Sequence, residues 1–111
     1  MWGNLLNKGN SHAPHTHSNN ILSGVYYLQS GSPIQFFDPR PAATILKPRN
    51  TVNWDNSGMM QFDSTPDIAL FFPSWLMHWV PPTSEERVSI AWNILVRGEY
   101  GEPHTLQNAY I

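Results

Sequence analysis

An all-β domain is the fold class this sequence predicts. Ten prolines and seven glycines cut its 111 residues into short pieces. No window sustains the i, i+3, i+4 apolar spacing of an amphipathic helix. Short runs rich in β-branched and aromatic residues recur instead, at the regular spacing of a sandwich or barrel.

Extended segments are expected, in order, at residues 2–8, 22–29, 33–38, 58–62, 67–72, 75–80 and 87–96. The polar run 10–20 precedes the second segment and, alone, reads as a His-rich tract. Leu22-Ser23-Gly24-Val25-Tyr26-Tyr27-Leu28 is a strong strand by composition. Ser30-Gly31-Ser32 turns the chain into the third segment, and Asp38-Pro39-Arg40-Pro41 ends that segment. Residues 39–57, with prolines at 39, 41 and 48, form a long loop with a short strand at 43–46. Loops of that length are usually functional or mobile. The turn Pro81-Pro82-Thr83-Ser84-Glu85 joins the last two segments, and residues 98–111 form a weakly structured tail. One domain, residues 1–111, is the natural reading, with a modest core.

Alternation gives the last segment two unlike faces. Arg87, Ser89, Ala91 and Asn93 share one; Val88, Ile90, Trp92 and Ile94 share the other. The first row suits a pocket lining and the second suits packing against another sheet, unless the polar row simply faces water. Ser23, Val25 and Tyr27 form a similar mixed face opposite Leu22, Gly24, Tyr26 and Leu28.

Composition excludes several functions. A net charge of −2, with six Lys and Arg scattered along the chain, carries no nucleic-acid footprint. The lack of cysteine removes disulfides, zinc ribbons and thiol catalysis, and fits the cytoplasm. No apolar run approaches the ~20 residues of a membrane span. Met1-Trp2-Gly3-Asn4 lacks the basic region and apolar stretch of a signal peptide. A cytoplasmic protein without nucleic-acid or membrane partners is therefore expected.

The chemistry-bearing residues lie at two ends of the chain. His15 and His17, two apart, project to one face of an extended segment and can reach one metal ion. His78 completes a facial set if its strand folds back alongside. Its place at a strand mouth suggests little contribution to core packing. Arg87, nine positions further on, could hold an acidic cosubstrate beside the metal. Together these residues point to a metal-dependent oxygenase on a small β-barrel. The bland alternative for the pair is an exposed loop or an adventitious site.

The ordered set His15-Thr16-His17, Val25-Tyr26-Tyr27-Leu28, Phe72-Pro73-Ser74, His78 and Arg87 resembles the iron(II)- and 2-oxoglutarate-dependent oxygenases, across residues 2–97. It looks closest to a prolyl-hydroxylase-like subfamily of marine bacteria and their phages. The shared stretches are His-x-His, Ser-Gly-Val-Tyr-Tyr-Leu, Phe-x-Asp-Pro-Arg and Phe-Pro-Ser-x-x-x-His. The resemblance implies a double-stranded β-helix, or jelly roll, and hydroxylation of a substrate with release of succinate and CO2. It implies Fe(II) on His15, His17 and His78, and the far carboxylate of 2-oxoglutarate on Arg87 and the Tyr27 hydroxyl. Asn93 shares the Arg87 face and is a third candidate for the cosubstrate site.

Two departures stand out. His17 occupies the position where the wider family has Asp or Glu, which alters metal preference and redox poise. Asp55 or Asp63 is the alternative source of an acidic ligand. The chain also begins almost at the first core strand. It is thus a minimal version, a fragment or a chain that depends on a partner subunit, and homo-oligomerisation stays open.

Bland alternatives stand beside the other roles. His17 could be solvent-facing, Arg87 paired with Glu85 or Glu86, and Tyr27 an ordinary core residue. Arg40 is either a second acid-binding residue or a turn residue paired with Asp38. His12 and His104 read as surface residues. Trp75 and Trp79 flank His78 and would pack or shield the barrel mouth. The rival functions are a cupin-type three-His metal protein or dioxygenase without 2-oxoglutarate, and a non-catalytic jelly-roll binding module. For the cupin, the expected Glu is absent near Ile21–Leu22 and Trp75 replaces a Gly.

Overall fold

The computed structural model describes residues 1–40, 45, 51, 53 and 56–111. Its described residues form strands and turns without a helix. The strands are β1 (Trp2–Leu6), β2 (His12–His15), β3 (Leu22–Gln29), β4 (Ile34–Phe37), β5 (Met59–Phe62), β6 (Ala69–Pro73), β7 (His78–Val80), β8 (Arg87–Ile94), β9 (Glu99–Tyr100) and β10 (Ala109–Tyr110). One sheet runs β1-β8-β3-β6 and the other β2-β7-β4-β5. All pairings are antiparallel. Successive strands therefore alternate between two four-stranded sheets except at β4 and β5, which pair within the second, and the fold is the double-stranded β-helix.

Long strands β3 and β8 form the centre of the first sheet, with Ser23 opposite Asn93 and Val25 opposite Ala91. Val25, Tyr27, Ile34, Phe36 and Phe72 form the core between the sheets, flanked by Phe62, Leu70 and Leu76. The inward face of β8 is its polar row, since Arg87 and Ser89 are buried. Packing between sheets thus falls on the row expected to line a pocket. The apolar row faces outward: Ile94 is exposed, as are Leu5, Leu28 and Phe71 on the other strands of this sheet. A period of two separates two faces but cannot say which is inner. Gly24 serves that outer face: an added Cβ would lie 2.4 Å from the Trp92 ring, so only a glycine lets the indole lie on the strand.

Three segments differ from expectation. β2 falls in the run read as a polar tract; its backbone is satisfied by pairing with β7, which local composition does not reveal. The strand expected at 75–80 begins only at His78, because Leu76 N donates to Pro73 O and closes a turn. The strand expected at 67–72 starts at Ala69, since Asp67 adopts a positive φ of 67° in a turn. The short strand expected at 43–46 lies outside the described residues except for Ile45, which sits in a turn. At the C-terminal end β9 and β10 pair, and Gly98 and Ile111 exchange two main-chain hydrogen bonds.

Candidate metal centre

Pairing of β2 with β7 sets His15 directly opposite His78. His17 follows two residues later in a loop whose position is held by its own N–H, donated to Ser74 O at 2.9 Å. The three imidazoles converge. Their ring centroids are 4.4 Å (His15 to His78), 5.0 Å (His17 to His78) and 5.1 Å (His15 to His17) apart. One ligand atom from each lies within 4.8 Å of the other two. The Nε2 atoms of His15 and His17 are 3.1 Å apart. Two nitrogens at right angles and ~2.1 Å from one ion would be ~3.0 Å apart, so the gap is that of neighbouring ligands.

Each Nδ1 faces away from this point toward an acceptor. His15 Nδ1 meets Ala13 O at 2.7 Å and His78 Nδ1 meets Leu76 O at 2.8 Å. His17 Nδ1 meets Asn93 Oδ1 and Ser23 Oγ, each at 2.7 Å. A proton on Nδ1 leaves the Nε2 lone pair for a metal. The donor set therefore fits a divalent transition ion held by neutral imidazole nitrogens. No carboxylate joins the three among the described residues. Asp63 is exposed, and Asp55 lies outside the described residues.

His78 is more than a residue at the mouth. It is 4% exposed, and its ring packs 4.7 Å from Phe72 and 5.7 Å from Phe36. The expectation of little core packing is corrected accordingly: β7 carries the ring inward onto the core of both sheets. Burial pushes its pKa down to about 4, helped by His15 and His17 and opposed by the Leu76 carbonyl. Burial also lowers His17. The unfolded chain protonates His78 near its ordinary value of 6.5, while the metal-free folded protein resists. Unfolding then takes up a proton between those values. Metal-free stability is expected to fall as the pH drops from about 6.5 toward 4, by up to roughly 3 kcal/mol from this residue, and to level off below. Urea midpoints measured across that range check this, and His78→Gln should flatten the slope.

Arg87 lies beside this centre, 2% exposed. Its Nε–H donates to Ser32 O at 3.0 Å, and its Nη1 is 3.4 Å from Ser89 Oγ. The guanidinium sits 5.0 Å from the centroid of the Tyr27 ring. No carboxylate pairs with Arg87 among the described residues, so the surface pair with Glu85 or Glu86 is not formed. Burial lowers its pKa and raises that of Tyr27, each shift opposed by the attraction between the two groups, and the buried Tyr27 hydroxyl has no partner at hydrogen-bond distance among the described residues. A buried cation beside an orphaned hydroxyl is costly unless an anion completes it. Arg87, Ser89, His12 and the three converging histidines line one cavity of about 100 Å³.

The remaining candidates separate cleanly. Asn93 holds His17 rather than opening into that cavity. Arg40 makes a short bidentate pair with Asp38, as a turn residue would, and holds that carboxyl down at about 2. Trp79 donates its indole N–H to Gln35 at 2.7 Å, and Trp75 is exposed in the turn before His78. His104 is exposed, but His12 is half-buried on the cavity wall, not on the surface. Residues three apart on a regular strand face opposite ways, so alternation separates His12 from His15. An irregularity in the β2–β7 register lies between them, and both line the cavity.

Comparisons with known proteins bear on the fold and the family. The crystal structure of a Pseudomonas putida prolyl-4-hydroxylase superposes with a TM-score of 0.61 at 18% identity, over 85% of this chain and 50% of that one. That likeness shows the shared fold, and the chain spans about half the length of that protein. No curated protein matches the chain. A family model described as "Putative 2OG-Fe(II) oxygenase" matches residues 1–93, which include the whole histidine cluster and Arg87. The chain belongs to that family of 2OG-Fe(II) oxygenases.

Proposed function

We propose that the protein is an iron(II)- and 2-oxoglutarate-dependent oxygenase that hydroxylates its substrate. The observation that carries this reading is the convergence on one cavity of three imidazole nitrogens and a buried guanidinium that meets no carboxylate among the described residues. His15, His17 and His78 would hold the iron. Arg87 would grip the far carboxylate of 2-oxoglutarate through its planar fork, and the Tyr27 hydroxyl would donate to the same group. When bound, iron and 2-oxoglutarate supply oxygen activation: one atom of O2 enters succinate as CO2 leaves, and the other enters a C–H bond of the substrate.

The protein's part is placement and exclusion of water. The Nδ1 acceptors keep the imidazoles in the ligating tautomer. Phe36 and Phe72 form an apolar wall against His78. Ser32 and Ser89 hold the guanidinium, so little side-chain entropy remains to be lost when a carboxylate arrives.

Anaerobic addition of Fe(II) and 2-oxoglutarate tests the reading. The expected result is a weak visible charge-transfer band that needs both components. Metal binding that is indifferent to 2-oxoglutarate would overturn it in favour of a three-His protein without a keto acid. A protein that binds neither would be a jelly-roll binding module.

A further inference from the structure

Ser23, Ser74 and Asn93 are buried or half-buried polar residues, and the reading above uses only Asn93, as an acceptor for His17 Nδ1. Both serines are 0% exposed. Hydroxyls inside a sheet are costly unless hydrogen-bonded, and here they form a chain. Ser74 Oγ lies 2.8 Å from Ser23 Oγ, and Ser23 Oγ donates to Asn93 Oδ1 at 2.7 Å. Both Ser23 Oγ and Asn93 Oδ1 end on His17 Nδ1.

We propose that Ser74, Ser23 and Asn93 are positioning residues for His17, which allow an imidazole to act where the wider family has a carboxylate. This rests on the metal reading above. The argument is one of proton counting. Ser23 has a single proton, and Asn93 Oδ1 takes it. Ser74 is then the donor to Ser23. His17 Nδ1 faces two acceptors and must carry a proton, so Nε2 presents its lone pair to the metal position.

The network answers a need that only histidine creates. A carboxylate has lone pairs on both oxygens and no tautomer to choose. His15 and His78 each settle theirs on a main-chain carbonyl two residues back. His17 instead takes side chains from β3, from β8 and from the turn after β6. Acceptors at Nδ1 also strengthen Nε2 as a donor, which suits a site without an anionic ligand. The Ser74 carbonyl, accepting from His17 N, ties the ligand's main chain to the same turn.

Co(II) titration of the full chain, by calorimetry and by its visible ligand-field spectrum, tests this. Asn93→Ala is expected to weaken binding about 10- to 100-fold and to alter the spectrum. In a His17→Ala background the same change should cost less than about twofold, because a positioning residue acts only through its ligand. Asn93→Asp, which can only accept, should bind as tightly as wild type or more tightly. Three results would overturn the inference while wild type still binds Co(II). One is Asn93→Ala within about twofold of wild type; another is an equal loss in both backgrounds, which marks fold support alone. The third is loss of binding in Asn93→Asp, which would make Asn93 the donor. Wild type that binds no Co(II) overturns the metal reading and this inference with it.

Discussion

Replacing His78 with Gln is expected to cut Fe(II) affinity by about 100-fold or more, with the chain still folded. The size follows from ligand count. Four-ligand structural zinc sites are worth roughly 10–16 kcal/mol, or about 2.5–4 kcal/mol for each ligand. At ~1.4 kcal/mol per tenfold, one lost imidazole costs about two to three decades. Gln is chosen over Ala because His78 is packed against Phe36 and Phe72. Truncation to Ala would leave a cavity, and a drop in affinity would then mix ligand loss with collapse of the core. The amide of Gln fills most of the volume and is a poor ligand. Anaerobic calorimetry with Fe(II) or Mn(II), alongside a urea denaturation curve, separates the two effects. Undiminished affinity in a folded variant would take His78 out of the ligand set.

The same residue shows what sequence could and could not tell. Its identity as a candidate ligand was legible, because ordered motifs place it between a His-x-His pair and an arginine. Its burial was not legible. That depends on β7 pairing with both β2 and β4, which brings Phe36 opposite His78. Strands β3 and β8 could be read directly, since eight-residue stretches rich in β-branched and aromatic side chains declare themselves. β2 could not: four residues containing a proline and two histidines become a strand only because β7 supplies partners. His12 was missed for the same reason, as a register irregularity re-aims a side chain that simple alternation turns away. The role of Asn93 was legible only as a shared face with Arg87. Its bond to His17 spans 76 positions and exists because β3 and β8 align Ser23 with Asn93.

Arg87 carries the second large effect, and its two consequences have opposite signs. Arg87→Met is expected to weaken 2-oxoglutarate binding about 30-fold or more, since removing one partner of a charged, bidentate contact in a partly dry site costs roughly 2–5 kcal/mol. Metal affinity should stay nearly unchanged. Arg87→Lys should recover only part of the loss, because an ammonium keeps the charge but not the fork. Arg40 offers a control: it is already paired with Asp38 and exposed, so Arg40→Ala should leave 2-oxoglutarate binding unaltered. The opposite sign appears in stability. Without ligand, Arg87 is a buried cation with no carboxylate among the described residues, held by a carbonyl, a hydroxyl and the face of Tyr27. Desolvation of that charge is then only partly offset, and an apolar side chain of similar length removes the penalty. Ligand-free Arg87→Met should therefore equal or exceed wild type in urea denaturation, whereas saturating metal and 2-oxoglutarate should stabilise wild type far more than the variant. A residue kept for packing would give the reverse: lower ligand-free stability in the variant and unchanged 2-oxoglutarate affinity, measured with Mn(II) in place of iron. That outcome would remove Arg87 from the cosubstrate site.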